Sequence, residues 1–282
     1  MPALPGQLIA LSPLVARVLA PNPSPFTNTG TQTHLVGTTD LAIIDPGPDS
    51  PDHLTALLVA IANRPVRAIL VTHTHRDHSP LARALAAATH APIIGCAPLA
   101  ITMEGRADAA FDSDYAPDHI LAEGDEVQGD GWTLTAIATP GHTSNHLAFA
   151  LPEEKALFSG DHVMGWSTTV VMPPDGDMGA FMASLEKLLG RDDAVYYPAH
   201  GEPVENPQRY VRHLLGHRQL REAQIAKLLD QAPHAVPAMV AAMYVGLDPR
   251  LERAAQGSVL AHLLDMEKRA LVAREGETWR RA

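Results

Sequence analysis

Apolar and polar positions along the first two thirds of the chain predict strands and helices in alternation. The segment DLAIID (Asp40–Asp45) is apolar between two acidic residues and stops at a Pro-Gly-Pro turn, which is typical of a buried strand. Ser50 and Pro51 match the N-cap and the first position of a helix that we expect to run to about Ala62. The run RAILVT (Arg67–Thr72) predicts the next buried strand.

The same patterns predict further elements on both sides of this region. The cap-and-proline pair recurs at Ser79-Pro80, ahead of an alanine-rich helix, and from Trp132 onwards short apolar runs separated by turns favour antiparallel hairpins. The further predicted strands are Gln7–Leu11, Val15–Leu19, Ala91–Gly95, Trp132–Thr139, His146–Leu151, Lys155–Ser159 and Ala194–Tyr197, and the further predicted helices are Leu81–Thr89 and Met178–Leu189. Alternating strands and helices of this kind predict a layered α/β fold.

After Asn206-Pro207 the pattern becomes helical and polar. Three helices are predicted, followed by a short hairpin around Arg274-Glu275-Gly276-Glu277, and this order is typical of a winged-helix arrangement. The predicted helices are Gln208–Leu229, Val236–Val245 and Arg250–Glu267, and the hairpin strands are Leu271–Ala273 and Thr278–Arg280. We therefore predict two domains, residues 1–206 and residues 207–282.

Composition restricts the kind of protein. The 282 residues are 46% hydrophobic and 19% charged, as in ordinary globular proteins. Cys96 is the single cysteine, so an intramolecular disulfide and a cysteine-rich metal site are both excluded. The apolar N-terminus lacks a basic start and is interrupted by prolines, unlike a signal peptide, and no run is long enough to span a membrane. We expect a cytoplasmic protein with no membrane partner.

Charge is unevenly distributed. The net charge is −11, but residues 1–209 carry 10 Lys and Arg against 24 Asp and Glu, whereas residues 210–282 carry 11 against 8. A basic tail on an acidic body suggests an anionic partner, and single-stranded RNA is one candidate. A few extra arginines on a helical surface would give the same excess, so the tail alone does not decide between the two.

The predicted chemistry is concentrated in one hexapeptide. His73, His75, Asp77 and His78 form the pattern H-x-H-x-D-H directly after the predicted strand Arg67–Thr72. His78 breaks the alternation that His73 and His75 obey, so the three imidazoles belong to a loop at a strand end rather than to one strand face. Imidazole and carboxylate are ligands that zinc, iron and manganese accept.

Three later segments each place another nitrogen or oxygen ligand beside glycine or proline. They are Pro140-Gly141-His142, Ser159-Gly160-Asp161 and Ala199-His200-Gly201, and each follows a predicted strand. Because loops at strand ends are held firmly yet remain open to solvent, such ends are where sites assemble in layered α/β folds. The four segments together supply seven ligands, enough for two adjacent cations.

The order of these motifs resembles the metallo-β-lactamase superfamily. Finer features resemble the subgroup of β-lactamase-like protein 2, namely Asn22-Pro23, Thr27-Asn28 through Gly30-Thr31-Gln32-Thr33, Ile44-Asp45-Pro46-Gly47-Pro48, Asp77-His78-Ser79-Pro80, Gly160-Asp161-His162-Val163-Met164-Gly165 and Pro174-Asp175-Gly176. The resemblance implies a four-layer αβ/βα sandwich with a small C-terminal winged-helix domain and a binuclear, usually zinc, centre, with iron or manganese as alternatives.

The resemblance also assigns the ligands. His73, His75 and His142 would hold the first metal ion, Asp77, His78 and His200 the second, and Asp161 would bridge both. Two such cations can share a water and produce hydroxide at neutral pH, with Asp77 orienting it. Asp77 and Asp161 are thus the predicted catalytic residues.

Three further residues have predicted supporting roles. We expect Asp45 to orient the metal loop through hydrogen bonds. His146 either donates a proton to a leaving group or hydrogen-bonds a ligand or a backbone group, and His162 either supports a ligand, contacts substrate or is an inert loop position.

Several functions fit this centre. The first is a phosphodiesterase or endoribonuclease acting on single-stranded RNA, which the subgroup resemblance implies. The second is a hydrolase of small esters or thioesters similar to hydroxyacylglutathione hydrolase (glyoxalase II). A winged-helix nucleic-acid binder and a β-lactamase are remoter alternatives, and the winged helix would either bind nucleic acid or only cover the active site. An oligomer is compatible with the sequence.

Overall fold

The computed structural model describes residues 4–99 and 110–282, which form two compact units. The first comprises Met1–Ala138, Asn145–Ser167 and Asp192–Pro207, and the second comprises Thr139–Ser144, Thr168–Arg191 and Gln208–Ala282. The domain boundary predicted near Pro207 stays a prediction.

The first unit contains two sheets. Seven strands, in the order β1-β2-β3-β4-β5-β6-β7, form the larger sheet: β1 Leu8–Ala10, β2 Val15–Leu19, β3 Gln32–Val36, β4 Leu41–Ile44, β5 Val66–Val71, β6 Ile93–Gly95 and β7 His119–Ile120. Five strands form the second, in the order β12-β11-β10-β9-β8: β8 Glu126–Gly129, β9 Trp132–Ala138, β10 Leu147–Leu151, β11 Ala156–Gly160 and β12 Val195–Pro198.

One apolar core lies between the two sheets. It joins residues of the larger sheet such as Ile43 and Ile69 to Phe149 and Phe158 of the smaller one. Strands β4 and β5 pair in parallel and are buried on both faces, which is why their sequences are nearly continuous apolar runs. The predicted α/β sandwich is confirmed.

Two helices of the first unit cover the larger sheet. Helix α1 (Pro51–Ile61) begins as predicted, because the Ser50 side chain accepts a hydrogen bond from the backbone N–H of His53. Helix α2 (Ala82–Thr89) does not use the predicted cap. Ser79 instead donates its hydroxyl to Asp112 Oδ2 at 2.8 Å, which ties the loop before α2 to a later loop.

The second unit contains the remaining helices and a small sheet. Helix α3 is Met178–Leu189, α4 is Pro207–Leu229, α5 is Val236–Met243 and α6 is Glu252–Lys268. Strands β13 (His234–Ala235), β14 (Val272–Glu275) and β15 (Thr278–Arg281) form a sheet in the order β13-β15-β14. Trp279 of the hairpin packs in one cluster with Met239 of α5, Leu263 of α6 and Ile225 of α4. The predicted winged-helix tail is confirmed.

Strand β3 is the main element that the sequence pattern did not predict. All five of its residues are buried, although Gln32, Thr33 and His34 are polar. The Thr33 hydroxyl lies 2.8 Å from the backbone oxygen of Asp45 and 2.8 Å from His53 Nε2. These partners satisfy polar groups that would otherwise be costly to bury. Among the described residues, no helix combines the length and the apolar character needed to cross a membrane.

Candidate metal centre

Six of the seven predicted ligands lie in the first unit, each just beyond the end of a strand. The H-x-H-x-D-H loop follows β5, Asp161 follows β11 and His200 follows β12. Strands β11 and β12 pair in parallel, so their carboxyl ends meet at the same edge of the smaller sheet. The side chains are nearly all buried, and Asp77 is the most exposed of the ion-pairing ligands, at 26%.

The first cluster of candidate ligands consists of His73, His75 and Asp161. One ligand atom from each lies within 4.8 Å of the others. His73 Nε2 and His75 Nδ1 are 2.9 Å apart, and His73 Nε2 is 4.0 Å from Asp161 Oδ2. The ring of Phe111 stacks on His75 with centroids 4.7 Å apart, which restricts the orientation of that imidazole.

The second cluster consists of Asp77, His78 and His200. Asp77 Oδ2 lies 3.3 Å from His78 Nε2 and 3.1 Å from His200 Nε2. Four atoms around a tetrahedral cation with bonds of about 2.0–2.1 Å are about 3.3–3.4 Å from one another. The spacing of these side chains is therefore that of the ligands of one tetrahedral metal ion.

Asp161 faces both clusters with different oxygens. Its Oδ2 points to His73, whereas its Oδ1 lies 3.6 Å from His78 Nε2 and 3.3 Å from His200 Nε2. The carboxylate carbon separates the two oxygens, so each belongs to one cluster. A carboxylate divided in this way could contribute one oxygen to each cluster.

Opposite charges hold the second cluster together. Burial would raise the pKa of both carboxyls, but the imidazoles of His78 and His200 hold the pKa of Asp77 and of Asp161 well below its ordinary value. Burial would lower the pKa of His200, yet Asp161 and Asp77 raise it to about 10. The carboxylates thus stabilise positive charge at Nε2 of the histidines. A cation bound there would replace those protons, so its affinity falls as the pH falls.

Asp45 supports the loop after β5. Its Oδ1 accepts the backbone N–H of Thr72 at 2.8 Å, and its Oδ2 accepts the Thr72 hydroxyl at 2.8 Å and lies 2.9 Å from His78 Nδ1. The Thr72 oxygen is also 3.0 Å from His73 Nδ1. With Nδ1 engaged in this way, Nε2 is the nitrogen by which His73 and His78 face the other candidate ligands.

A second support comes from the loop before β3. The Asn22 amide nitrogen donates to Thr31 Oγ1 at 2.9 Å, and the Thr31 hydroxyl donates to Asp77 Oδ2 at 3.0 Å. In the same loop, the carbonyl of Gly30 lies 3.2 Å from His200 Nδ1, which directs His200 Nε2 towards the cluster. In the sequence, Asn22 and Thr31 are recognisable only as parts of a motif, because Asp77, the residue that Thr31 supports, lies 46 positions further along the chain.

The two remaining predicted residues are buried behind Asp161. His146 Nε2 accepts the backbone N–H of Asp161 at 3.2 Å, so this histidine positions the predicted bridge. Gly160 permits the contact: its φ is +51°, and an added Cβ would lie 2.6 Å from His146 Nε2. His162 has no exposed surface, and its ring centroid is 6.0 Å from that of His146. Both imidazoles therefore face the interior rather than a substrate.

His142 lies in the second unit, in the segment Thr139–Ser144. Its Nδ1 is 2.7 Å from the carbonyl oxygen of Val170, an acceptor that requires the proton to be on Nδ1 and leaves the lone pair on Nε2. The Ser184 hydroxyl donates to the carbonyl of Pro140 at 2.8 Å, and the backbone N–H of Asp177 donates to that of Gly141 at 3.0 Å. Three residues of the second unit, Val170, Asp177 and Ser184, thus hold this imidazole and the backbone before it.

Comparisons with known proteins agree with the fold. Residues 27–200 match the family described as the metallo-beta-lactamase superfamily, and residues 235–279 match the beta-lactamase associated winged helix domain. A beta-lactamase domain protein from Burkholderia ambifaria has a similar structure, with a TM-score of 0.84 at 22% identity over 100% of this chain and 95% of that one.

Two curated relatives show closer sequence similarity. A beta-lactamase-like protein 2 homolog of Caenorhabditis elegans is 34% identical over 229 residues, which cover 78% of this chain and 72% of that protein. An atrochrysone carboxyl ACP thioesterase of Aspergillus fumigatus is 33% identical over 238 residues, which cover 82% of this chain and 69% of that protein. The resemblance inferred from the motifs is confirmed, and the chain belongs to the metallo-β-lactamase superfamily of hydrolases, with the winged-helix domain associated with that superfamily.

Proposed function

We propose that this hydrolase holds two divalent cations and cleaves thioester or ester bonds of acyl substrates. His73, His75 and His142 would bind the first cation, Asp77, His78 and His200 the second, and Asp161 both. The observation that carries this proposal is the division of the Asp161 oxygens, with Oδ2 towards His73 and Oδ1 at 3.3 Å from His200 Nε2.

The donor set fits the proposed cations. Five imidazole nitrogens and two carboxylates suit zinc, and iron or manganese also accept these ligands. His78 Nε2 is buried and makes no hydrogen bond within the described part of the chain, as expected for an atom reserved for a metal. When bound, two such cations lower the pKa of a shared water and stabilise charge on the attacked group.

Asp77 is the residue best placed to handle the proton of the attacking water. It is the most exposed of the ion-pairing ligands, and the Thr31 hydroxyl holds its Oδ2. A carboxylate fixed in this way can accept a hydrogen bond from the water and orient its lone pair. Asp161, by contrast, is almost fully buried, and one of its oxygens faces each ligand cluster.

Exposed aromatic side chains support an acyl substrate. Phe26 and Trp166 are exposed at 48% and 40%, and both lie on loops that flank His200. The Phe26 loop contributes the carbonyl of Gly30 to His200 Nδ1, and the Trp166 loop donates the backbone N–H of Gly165 to the carbonyl of His200 at 2.9 Å. Such side chains offer apolar surface beside the site. The Aspergillus relative named as a thioesterase supports the same substrate class.

The winged-helix tail gives less support to a nucleic-acid substrate. Four of its basic side chains pair with carboxylates of the same unit: Arg250 with Asp248, Lys268 with Asp177, Arg269 with Glu222 and Arg281 with Asp230. Helix α6 also packs closely inside the unit, since an added Cβ on Gly257 would lie 2.8 Å from Met172 Cγ. A helix covered in this way is poorly placed to insert into a nucleic-acid groove. Cleavage of single-stranded RNA stays a prediction from the subgroup resemblance.

The test combines metal analysis with a substrate panel. We expect about two equivalents of zinc, iron or manganese per chain, and chelator-sensitive hydrolysis of acyl thioesters in preference to single-stranded RNA and to bis-p-nitrophenyl phosphate. Asp161→Asn should abolish hydrolysis and reduce metal content, whereas Asp49→Asn, the same change at an exposed position, should do neither. A metal-free active enzyme, or turnover of RNA alone, would overturn the proposal.

A further inference from the structure

Arg218 is a buried arginine on the apolar face of helix α4. It is 4% exposed and follows Val211 and Leu214 at helical spacing, both of which are buried. Burial and the neighbouring Arg221 lower the pKa of its guanidinium to about 10. No carboxylate of the described residues pairs with Arg218, and its Nε makes no hydrogen bond. Isolated buried charges are rare in proteins, so this guanidinium calls for a specific explanation.

Two contacts define what the guanidinium does. Its Nη2 donates to the carbonyl oxygen of Thr169, and its central carbon lies 5.0 Å from the ring centroid of Phe181. Thr169 belongs to an irregular segment between β11 and α3. Phe181 is in the first turn of α3. The guanidinium therefore joins the irregular segment to α3 from a position on α4.

Both contacted residues support the loop that carries His142. The residue after Thr169 is Val170, whose carbonyl oxygen lies 2.7 Å from His142 Nδ1. Phe181 packs directly against Gly141, since a Cβ added there would lie 2.3 Å from Phe181 Cα. Gly141 has φ of +136°, so the backbone before His142 adopts a conformation that needs this glycine.

We propose that Arg218 is a positioning residue for the metal ligand His142. By holding the Thr169 carbonyl, it fixes the orientation of the following peptide, so the Val170 oxygen faces His142 Nδ1 and the lone pair of the imidazole is on Nε2. The inference rests on the proposed function, and it gives a helix of the C-terminal tail a part in metal binding. An apolar side chain at position 218 would fill the space but would remove the hydrogen bond from the guanidinium to the Thr169 carbonyl.

Arg221 offers a matched control on the same helix. Its guanidinium carbon lies 4.3 Å from the ring centroid of Tyr244, and its Nη1 is 3.5 Å from the carbonyl oxygen of Met243. These are the same two kinds of contact that Arg218 makes, but none of them reaches the His142 loop. Arg221→Met therefore reproduces the loss of charge and packing without the proposed effect on the ligand.

The experiment is a Co²⁺ titration of the metal-free full-length chain, followed by the visible absorption of the bound ion. We expect Arg218→Met to lower the affinity for one of two Co²⁺ ions by roughly 10- to 100-fold and to leave the affinity for the other unchanged. Loss of a residue that orients a metal ligand typically has an effect of this size. Arg221→Met should bind both ions like the wild type. Arg218→Lys, which keeps the positive charge but not the planar guanidinium, should show a smaller loss of Co²⁺ affinity. This variant replaces Arg218→Met in the titration if Arg218→Met does not fold.

A double-mutant cycle separates positioning from general stability. If Arg218 acts through His142, the effect of Arg218→Met on Co²⁺ affinity should vanish in a His142→Ala background. Equal Co²⁺ affinities of both Arg218 variants and the wild type, or effects that simply add in the cycle, would overturn the inference while leaving the proposed function intact. A wild-type chain that binds no Co²⁺ would overturn the proposed function and this inference with it.

Discussion

Replacing Asp45 by asparagine tests how far the second cation site depends on a residue that touches no metal. Asp45 has a φ of +50°, a conformation that asparagine tolerates well, so the backbone should be preserved. Its Oδ1 contact with the Thr72 backbone N–H can be retained by the amide oxygen. At Oδ2, however, an NH₂ group would replace an oxygen that faces both the Thr72 hydroxyl and His78 Nδ1.

The size of the effect follows from these two contacts. They measure 2.8 and 2.9 Å, and Asp45 is 2% exposed, so water cannot easily take the place of the lost acceptor. Hydrogen bonds to charged groups contribute about 1.5–3 kcal/mol each, so unfolding should become easier by about 3–6 kcal/mol. In addition, His78 would lose the acceptor that fixes its tautomer, which should lower the affinity of its cluster for a cation by roughly 10- to 100-fold.

The assay measures the two effects separately. Urea unfolding of the metal-free protein reports the free energy of unfolding, and Co²⁺ titration below the unfolding range reports the affinity of each ion. Asp49→Asn makes the same chemical change at an exposed position and should match the wild type in both. If Asp45→Asn bound two Co²⁺ ions as tightly as Asp49→Asn does, Asp45 would not orient His78 and the reasoning would be refuted.

Three further predictions follow from single contacts. Gly160→Ala should lose most hydrolysis and metal, because the new Cβ would displace His146 from the Asp161 backbone; unchanged metal content would show that His146 is dispensable. Burial lowers the pKa of His53 to about 4, so the unfolded chain takes up a proton at a higher pH than the folded chain does. The free energy of unfolding should therefore fall as the pH drops from 6.5 towards 4, by about 2 kcal/mol at pH 5. His53→Gln should remove that part of the pH dependence in urea unfolding of the metal-free chain, and an unchanged pH profile would contradict the assignment. Trp166→Ala should reduce the preference for octanoyl over acetyl thioesters, measured as kcat/KM, by about tenfold. This corresponds to loss of contact with about two methylenes, since each buried methylene contributes about 0.8 kcal/mol. Val59→Ala, which also shortens an exposed apolar side chain, should leave this preference unchanged.

Most of the elements predicted from a local signal agree with the structure, and the helix cap predicted at Ser79 is an exception. The predicted helix Met178–Leu189 has the observed bounds, and strand β2 matches the prediction Val15–Leu19. Strand β3 was missed because three of its five buried side chains are polar. The partners of Thr33 are Asp45, just beyond the end of β4, and His53 of α1. Hydrophobic periodicity reports burial only when the buried residues are apolar.

The sequence by itself determined the kind of site and the places of its ligands. Histidines and aspartates at strand ends predicted imidazole and carboxylate ligands, because both the strand pattern and the chemistry of these residues are local properties. Tertiary structure decided which atoms face one another. Parallel pairing of β4 with β5 puts Ile44 opposite Leu70, so that Asp45 comes beside Thr72 and His78.

The same holds for the other supports of the centre. Thr31 reaches Asp77 across 46 positions of sequence, and Arg218 reaches Thr169 across 49. The two oxygens of Asp161 are divided between clusters only because β5 and β11, from different sheets, end near each other. Contacts of this range depend on strand order, register and the packing of the core, which are properties of the whole fold and leave no periodic signal in one sequence.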